Sequence, residues 1–148
     1  MFGNSCERAR LNDGLWLILK AIRCRAIFKG RASGEALVSK ESISFFGGVD
    51  PNTGKVISRG HDLFNKSITG KVLIFTTGKG STVGSYTLYQ LSENNKAPAA
   101  IICKEAEPIV AVGAIMGNIP MVDRPEIFNF KNGQQITVDS YNSSIIIE

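Results

Sequence analysis

The chain has 148 residues, 43% hydrophobic and 20% charged, a globular rather than disordered composition that suits one domain with a buried core. No apolar run reaches the roughly 20 residues of a membrane-spanning helix, and Leu15–Ile22, broken by Lys20, is short for a secretory signal, so a cytoplasmic location is expected. With a net charge of +4, basic residues gather early (Arg8, Arg10, Lys20, Arg23, Arg25, Lys29, Arg31) without interleaved stacking aromatics, which describes a solvated basic face, or a surface for an acidic partner, rather than a nucleic-acid reader.

Residues 1–20 differ in pattern from the rest and are expected to form an N-terminal extension, either flexible or a short helix on the surface. The folded domain is expected over 21–148. Ile22, Cys24, Ala26 and Phe28 alternate as in a half-buried strand. Gly30–Gly34 reads as a turn, Glu35–Val38 as a strand, and Ile43–Phe46 as a third apolar piece closed by Gly47-Gly48. Asp50-Pro-Asn-Thr-Gly54 is a turn signal, because Pro presets φ and Gly accepts the left-handed region.

From residue 71 the pattern changes to alternating strand and helix. Lys71–Thr77 is apolar enough for a central strand, Gly78–Gly84 is a tight loop, and Ser85–Asn94 is a predicted helix. Ala99–Cys103 is a second buried strand. Glu107-Pro108 opens a helix over Ile109–Met116 that stops at Gly117. Ile119–Val122 is a short strand, Asn132-Gly133 a hairpin signal, and Ile136–Asp139 and Ser144–Ile147 close the fold. The fold class expected is α/β, a single mixed β/β/α domain.

Cys6, Cys24 and Cys103 are odd in number and widely spaced, with no CxxC, so neither a disulfide scaffold nor a metal or iron–sulfur site is expected inside this chain. Chemistry is better placed on Thr77-Gly-Lys-Gly-Ser-Thr-Val-Gly-Ser85. A strand that ends in glycines and turns into a helix presents backbone N–H groups and the positive end of the helix dipole. Ser81 and Thr82 stand at that helix start beside Lys79 and Gly80. A hydroxyl there caps the helix in the plain reading. In the functional reading, Lys79 and the N–H groups hold a carboxylate or make Ser81 more acidic. Glycines 78, 80 and 84 miss the dinucleotide spacing by one residue, and the G-K-[ST] ending of a nucleotide loop is absent.

His61, the only histidine, lies in Arg59-Gly-His-Asp62 and would serve either as a loop residue or as a phosphoryl acceptor or base. Gly47-Gly-Val-Asp50 and Asp123-Arg-Pro125 are polar loops beside apolar strands. Arg124 suits a substrate carboxylate or phosphate, or else an ion pair with Asp123 or Glu126.

Several runs, in this order, resemble the small subunit of the aconitase X family over about residues 22–140. They are Gly34-Glu-Ala-Leu-Val, Ile43-Ser-Phe-Phe-Gly-Gly-Val-Asp-Pro51, Gly78-Lys-Gly-Ser-Thr-Val-Gly-Ser-Tyr86, Ala97-Pro-Ala-Ala-Ile, Glu105-Ala-Glu-Pro-Ile109 and Ile119-Pro-Met-Val-Asp-Arg-Pro125. The resemblance implies a swivelling β/β/α domain of the aconitase type. It also implies a separate aconitase X-type large subunit, joined to this chain as a heterodimer, that carries a 4Fe-4S cluster and most of the active site; this chain would bind no cofactor. The activity implied is a hydro-lyase removing water from (R)-5-phosphomevalonate to give trans-anhydromevalonate 5-phosphate, in the archaeal mevalonate route. The serine of the KGS motif, here Ser81, is implied as proton acceptor, with Lys79, Gly80, Thr82 and Arg124 as candidate substrate-binding residues.

Elementary chemistry agrees with that division. Dehydration needs a base for the proton beside the carboxylate, and a serine alkoxide gains only about 1–2 kcal/mol from a helix dipole. Closure against a partner must therefore exclude water, and the chain alone is expected to be inactive. A hydroxyproline dehydratase subunit of the same superfamily is the runner-up. A phosphohistidine-type carrier using His61 is the alternative of another class, and a plain binding module without chemistry is the last.

Overall fold

The computed structural model describes residues 5–10, 16–78 and 82–148, with side chains from Lys20 onward. In chain order come β1 (Ser5–Arg10), β2 (Trp16–Arg23), β3 (Arg25–Phe28), β4 (Arg31–Val38), β5 (Val72–Phe75) and α1 (Thr82–Glu93). They are followed by β6 (Ala100–Cys103), α2 (Pro108–Met116), β7 (Met121–Asp123), β8 (Gln135–Asp139) and β9 (Ser144–Ile147). No described helix is long and apolar enough to cross a membrane.

Among the described residues the strands lie in the order β1-β2-β9-β8-β4-β5-β6-β7-β3. β4, β5, β6 and β7 run parallel, which requires crossovers, and α1 and α2 supply two of them. β3 flanks β7 antiparallel, while β8, β9, β2 and β1 extend the other side antiparallel. β4 joins the two halves: Arg31–Glu35 pair with β8, and Ala36–Val38 pair with β5.

Every residue of β5 and β6 is buried, as expected of parallel strands covered on both faces. Leu73, Phe75, Ile101, Cys103 and Met121 pack with Leu88 and Leu91 of α1 and Val110 and Ala114 of α2. The alternate residues, Val72, Ile74, Ala100, Ile102 and Val122, pack instead with Ile22, Ile136, Val138, Ile145 and Ile147. The antiparallel strands thus cover the face opposite the helices, giving the β/β/α layering expected. Each large apolar side chain buried this way contributes about 1.5–3 kcal/mol.

α2 begins as its sequence specifies: the Glu107 carboxylate accepts from Val110 N–H, and Pro108 occupies the first turn. α1 and α2 pack closely because Gly113 lacks a side chain; a Cβ there would lie 3.0 Å from Ser85 Cα and 2.6 Å from Leu88 Cδ1.

Residues Ser5–Arg10 and Trp16–Ala21 pair as antiparallel strands. β2 runs across position 20 to reach β9. The alternating run 22–28 is two strands, parted at Cys24, whose N–H donates to Ser143 O. Gly30–Gly34 is strand rather than turn. Gly34 is required there for close approach, since a Cβ would lie 2.7 Å from the Gly70 carbonyl oxygen. Ile43–Phe46 forms no strand, only an isolated parallel bridge from Ile43 to Gly78. Asn132-Gly133 turns the chain into β8, with Gly133 at φ 88° donating to Ala36 O. The actual hairpin is β8–β9, which turns through Ser140–Ser143 with Ser143 at φ 50°.

Asp139 organises that hairpin. It is buried, and its Oδ2 accepts from Asn142 Nδ2 at 2.8 Å and from Arg31 at 2.9 Å. Asn142, foremost, and Arg31 hold its carboxyl below the usual carboxylate range.

Two predictions follow from this packing. Gly34→Val is expected to destabilise the domain by about 1–3 kcal/mol, the usual range for overpacking, measured as a shift in urea midpoint; an unchanged midpoint would show that Gly70 moves freely. The lowered Asp139 pKa contributes stability present above the unfolded carboxylate value of about 4 and lost as pH falls through the folded value. Asn142→Ala should therefore cost more stability at pH 7 than at pH 2, and an equal loss at both would remove Asp139 from the effect.

Candidate active site at the carboxyl edge of the parallel strands

Because β5 and β6 are apolar throughout, polar groups collect where the parallel strands end. β5 leads into Thr76-Thr77-Gly78, β6 into Lys104-Glu105, and β7 into Arg124. Backbone bonds stitch these ends together. The Thr76 carbonyl accepts the N–H groups of Lys104 and Glu105, each at 3.1 Å, and the Lys104 carbonyl accepts Arg124 N–H at 3.1 Å. Gly78 is buried between the Ile43 backbone and α2, and a Cβ there would meet Val110 Cγ2 at 2.3 Å. Lys79, Gly80 and Ser81 lie outside the described residues. They connect Gly78 to Thr82, the exposed first residue of α1, whose carbonyl accepts from Ser85 Oγ at 2.8 Å.

The ion pairs at this edge differ from those expected. Asp123 is fully buried and takes Arg25, with Nε to Oδ1 at 2.8 Å and a second guanidinium nitrogen to Oδ2 at 2.7 Å. Its Oδ2 also accepts Ala106 N–H at 2.8 Å. Arg124, at φ 49°, reaches neither Asp123 nor Glu126; it grips Glu105 in a bidentate pair at 2.8 and 3.0 Å. That bond holds the Glu105 carboxyl below the usual range. The signal for it is topological: Glu105 and Arg124 follow the ends of neighbouring parallel strands, which the sequence order alone does not pair. Arg31 pairs with Asp139 at the far end of β4, so it is not at this edge.

Both described cysteines are inert in character. Burial, with Asp123, Asp139 and Glu126 adding, pushes the Cys24 thiol up to about 12, and burial with Asp123 pushes Cys103 further. Gly47-Gly48 lies in a turn closed by Val49 N–H on the Phe45 carbonyl, and Asp50 opens the next turn, accepting Asn52 N–H on its side chain and Gly54 N–H on its carbonyl.

His61 is not an exposed phosphoryl acceptor. Its side chain is 12% exposed, Nε2 lies 3.1 Å from Ser42 O, and Nδ1 accepts Leu63 N–H at 3.1 Å. Glu41, His61 and Asp62 bring their donor atoms within 4.8 Å of one another, but these atoms are already committed. Asp62 accepts from Ser39 Oγ and Lys40 N–H, and Glu41 accepts Asp62 N–H. The trio is a clasp across the segment between β4 and β5.

Comparison with known proteins agrees with this architecture. Residues 21–147 match the family described as aconitase X swivel domain. The phosphomevalonate dehydratase small subunit of Methanocella arvoryzae is 60% identical over 121 residues, 80% of this chain and 92% of that protein. The subunit of the same name from Thermococcus kodakarensis is 50% identical over 126 residues, 85% of this chain and 95% of its own length. The crystal structure of Thermococcus kodakaraensis aconitase X in its holo-form superposes with a TM-score of 0.84 at 49% identity, covering 86% of this chain and 98% of that one. The chain belongs to the aconitase X swivel domain family.

Proposed function

We propose that this chain is the small subunit of a phosphomevalonate dehydratase, a hydro-lyase subunit that supplies a serine base and works only with its large subunit. The observation that carries the reading is the set of relatives bearing that name, at 50–60% identity over four-fifths or more of this chain. Their name favours a phosphorylated mevalonate over a hydroxyproline as substrate.

Among the described side chains nothing fits a 4Fe-4S cluster. The described thiols, Cys24 and Cys103, are both shielded from ionising, and neither belongs to a group of three metal-capable side chains. The cluster is assigned to the large subunit. What this chain contributes is the proton step. Ser81, as its alkoxide, takes the proton from the carbon beside the substrate carboxylate and becomes a neutral hydroxyl; the C–H electron pair forms the C=C bond, and the C–O bond on the next carbon breaks to release hydroxide, which becomes water with a proton from outside this chain. Its place between Gly78, fixed at the carboxyl edge, and Thr82, the start of α1, supports the role, as does Lys79 two residues before it. Gly80 and Thr82 add backbone and hydroxyl donors for the substrate's anionic groups. Arg124 is a cation of the same edge, and its exposed pair with Glu105 is of the kind readily exchanged for a substrate phosphate.

The surface beside the loop supports a covering partner. Val83 and Tyr86 on the first turns of α1 are 45% and 53% exposed. Phe46, whose N lies 3.9 Å from a Cβ built on Gly84, is 55% exposed. Such an apolar rim around a polar centre suits a surface that another chain dries.

The test is an anaerobic dehydration assay of 5-phosphomevalonate with this chain alone, with its large subunit, and with variant complexes. Activity only in the wild-type complex is expected, and turnover by this chain alone would sink the reading. Ser81→Ala should lower kcat by about 10²–10⁴-fold with assembly intact; retained kcat would remove the serine base. Arg124→Ala should raise KM more than it lowers kcat, and an unchanged KM would leave Arg124 a structural partner of Glu105.

A further inference from the structure

We infer that His61 is a positioning residue for the serine loop, acting through the backbone of Ser42 and Ile43. The inference rests on the proposed role of Ser81 and adds to it a residue that contacts no reacting atom. β4 and β5 are parallel neighbours, so the chain between Ser39 and Lys71 must return along the sheet, and it does so without a helix. Bridges such as Val49 to Val56 and Lys55 to Ser67 tie parts of it together, and a further tie forms beside His61. Ser39 Oγ and Lys40 N–H donate to Asp62 at 2.7 and 2.8 Å, and Asp62 N–H donates to Glu41 at 2.8 Å.

His61 adds the bond that points toward the active edge. Leu63 N–H donates to Nδ1, which leaves the ring proton on Nε2, and Nε2–H donates to Ser42 O at 3.1 Å. Nδ1 also lies 3.1 Å from Asp62 Oδ1, and Nε2 lies 3.9 Å from Glu41.

The residue after Ser42 makes the connection. Ile43 bridges in parallel to Gly78, and Phe45 packs edge-on against Phe75 at the end of β5, with ring centroids 6.0 Å apart. Gly78 is wedged between Ile43 and Val110. It is the last described residue before 79–81. The His61 ring therefore holds the strip of chain against which the serine loop departs. Loss of this bond shifts the base rather than removing it, and displacements of about 1 Å cost on the order of 100-fold in rate.

The experiment uses the complete complex and compares His61→Gln, His61→Asn and His61→Ala with Ser81→Ala. A glutamine amide places an N–H where Nε2 stands, while asparagine reaches only the Nδ1 position. His61→Ala and His61→Asn are expected to lower kcat about 10–100-fold with KM within about twofold, and His61→Gln to recover kcat to within about threefold. Equal kcat in wild type and His61→Asn overturns the proposal, as does a loss in His61→Gln equal to that in His61→Ala. Failure of all three to assemble does the same, assigning the ring to the fold alone. Activity retained by Ser81→Ala would instead refute the serine base, an outcome read independently of the histidine variants.

Discussion

The structure depends on the complete burial of β5 and β6. Val72–Phe75 and Ala100–Cys103 have no exposed side chain on either face, so one face must be covered by helices and the other by further strands. Two consequences follow. The antiparallel half of the sheet packs beneath the parallel half, with β4 shared between them. Polar groups cannot lie along these strands and are displaced to their ends, where the turn after each strand decides what is presented.

Charge at that edge is handled in two ways. Asp123 is fully buried, yet both its oxygens accept hydrogen bonds, from Arg25 and from Ala106 N–H. This carboxylate fastens the edge strand β3 to β7 and sets the loop that leads to the Glu107 cap of α2. Removing one partner would leave a buried charge unmatched, which is why such a pair specifies geometry even where its net stabilisation is small. Arg124 and Glu105 are exposed on both sides and constrain nothing comparable. One pair builds the edge; the other is free to change partners.

Periodicity made the central elements legible. The apolar runs of β5 and β6, the Glu107-Pro108 start of α2 and the final β8–β9 pair stand within a residue or two of where the sequence put them. Two of the errors share a cause, that glycine signals are local while their use is tertiary. Gly34 reads as a turn residue, but it is small because the Gly70 carbonyl crosses it. Asn132-Gly133 has hairpin chemistry, yet Ala36 takes its N–H. The partners of Asp123 and Arg124 were equally hidden, since Arg25 and Glu105 become neighbours only through strand order. Lys79, Gly80 and Ser81 were singled out by residue type and by resemblance, and what the fold adds is where their two flanks are held.

Under the proposed function, the same geometry explains why the chemistry is divided between two chains. A helix N-terminus offers a serine alkoxide about 1–2 kcal/mol, far below what a proton beside a carboxylate demands. The missing stabilisation grows as water is removed, because fixed dipoles act more strongly in a low dielectric. Among the described residues the proposed edge ends in exposed Phe46, Val83 and Tyr86, so removing that water would fall to a partner surface. A domain that swings onto a second subunit can keep the edge open for substrate entry and dry it afterwards. The rigid core behind the loop, with Gly78 locked between Ile43 and Val110, would let the base arrive at one position each time the surfaces meet.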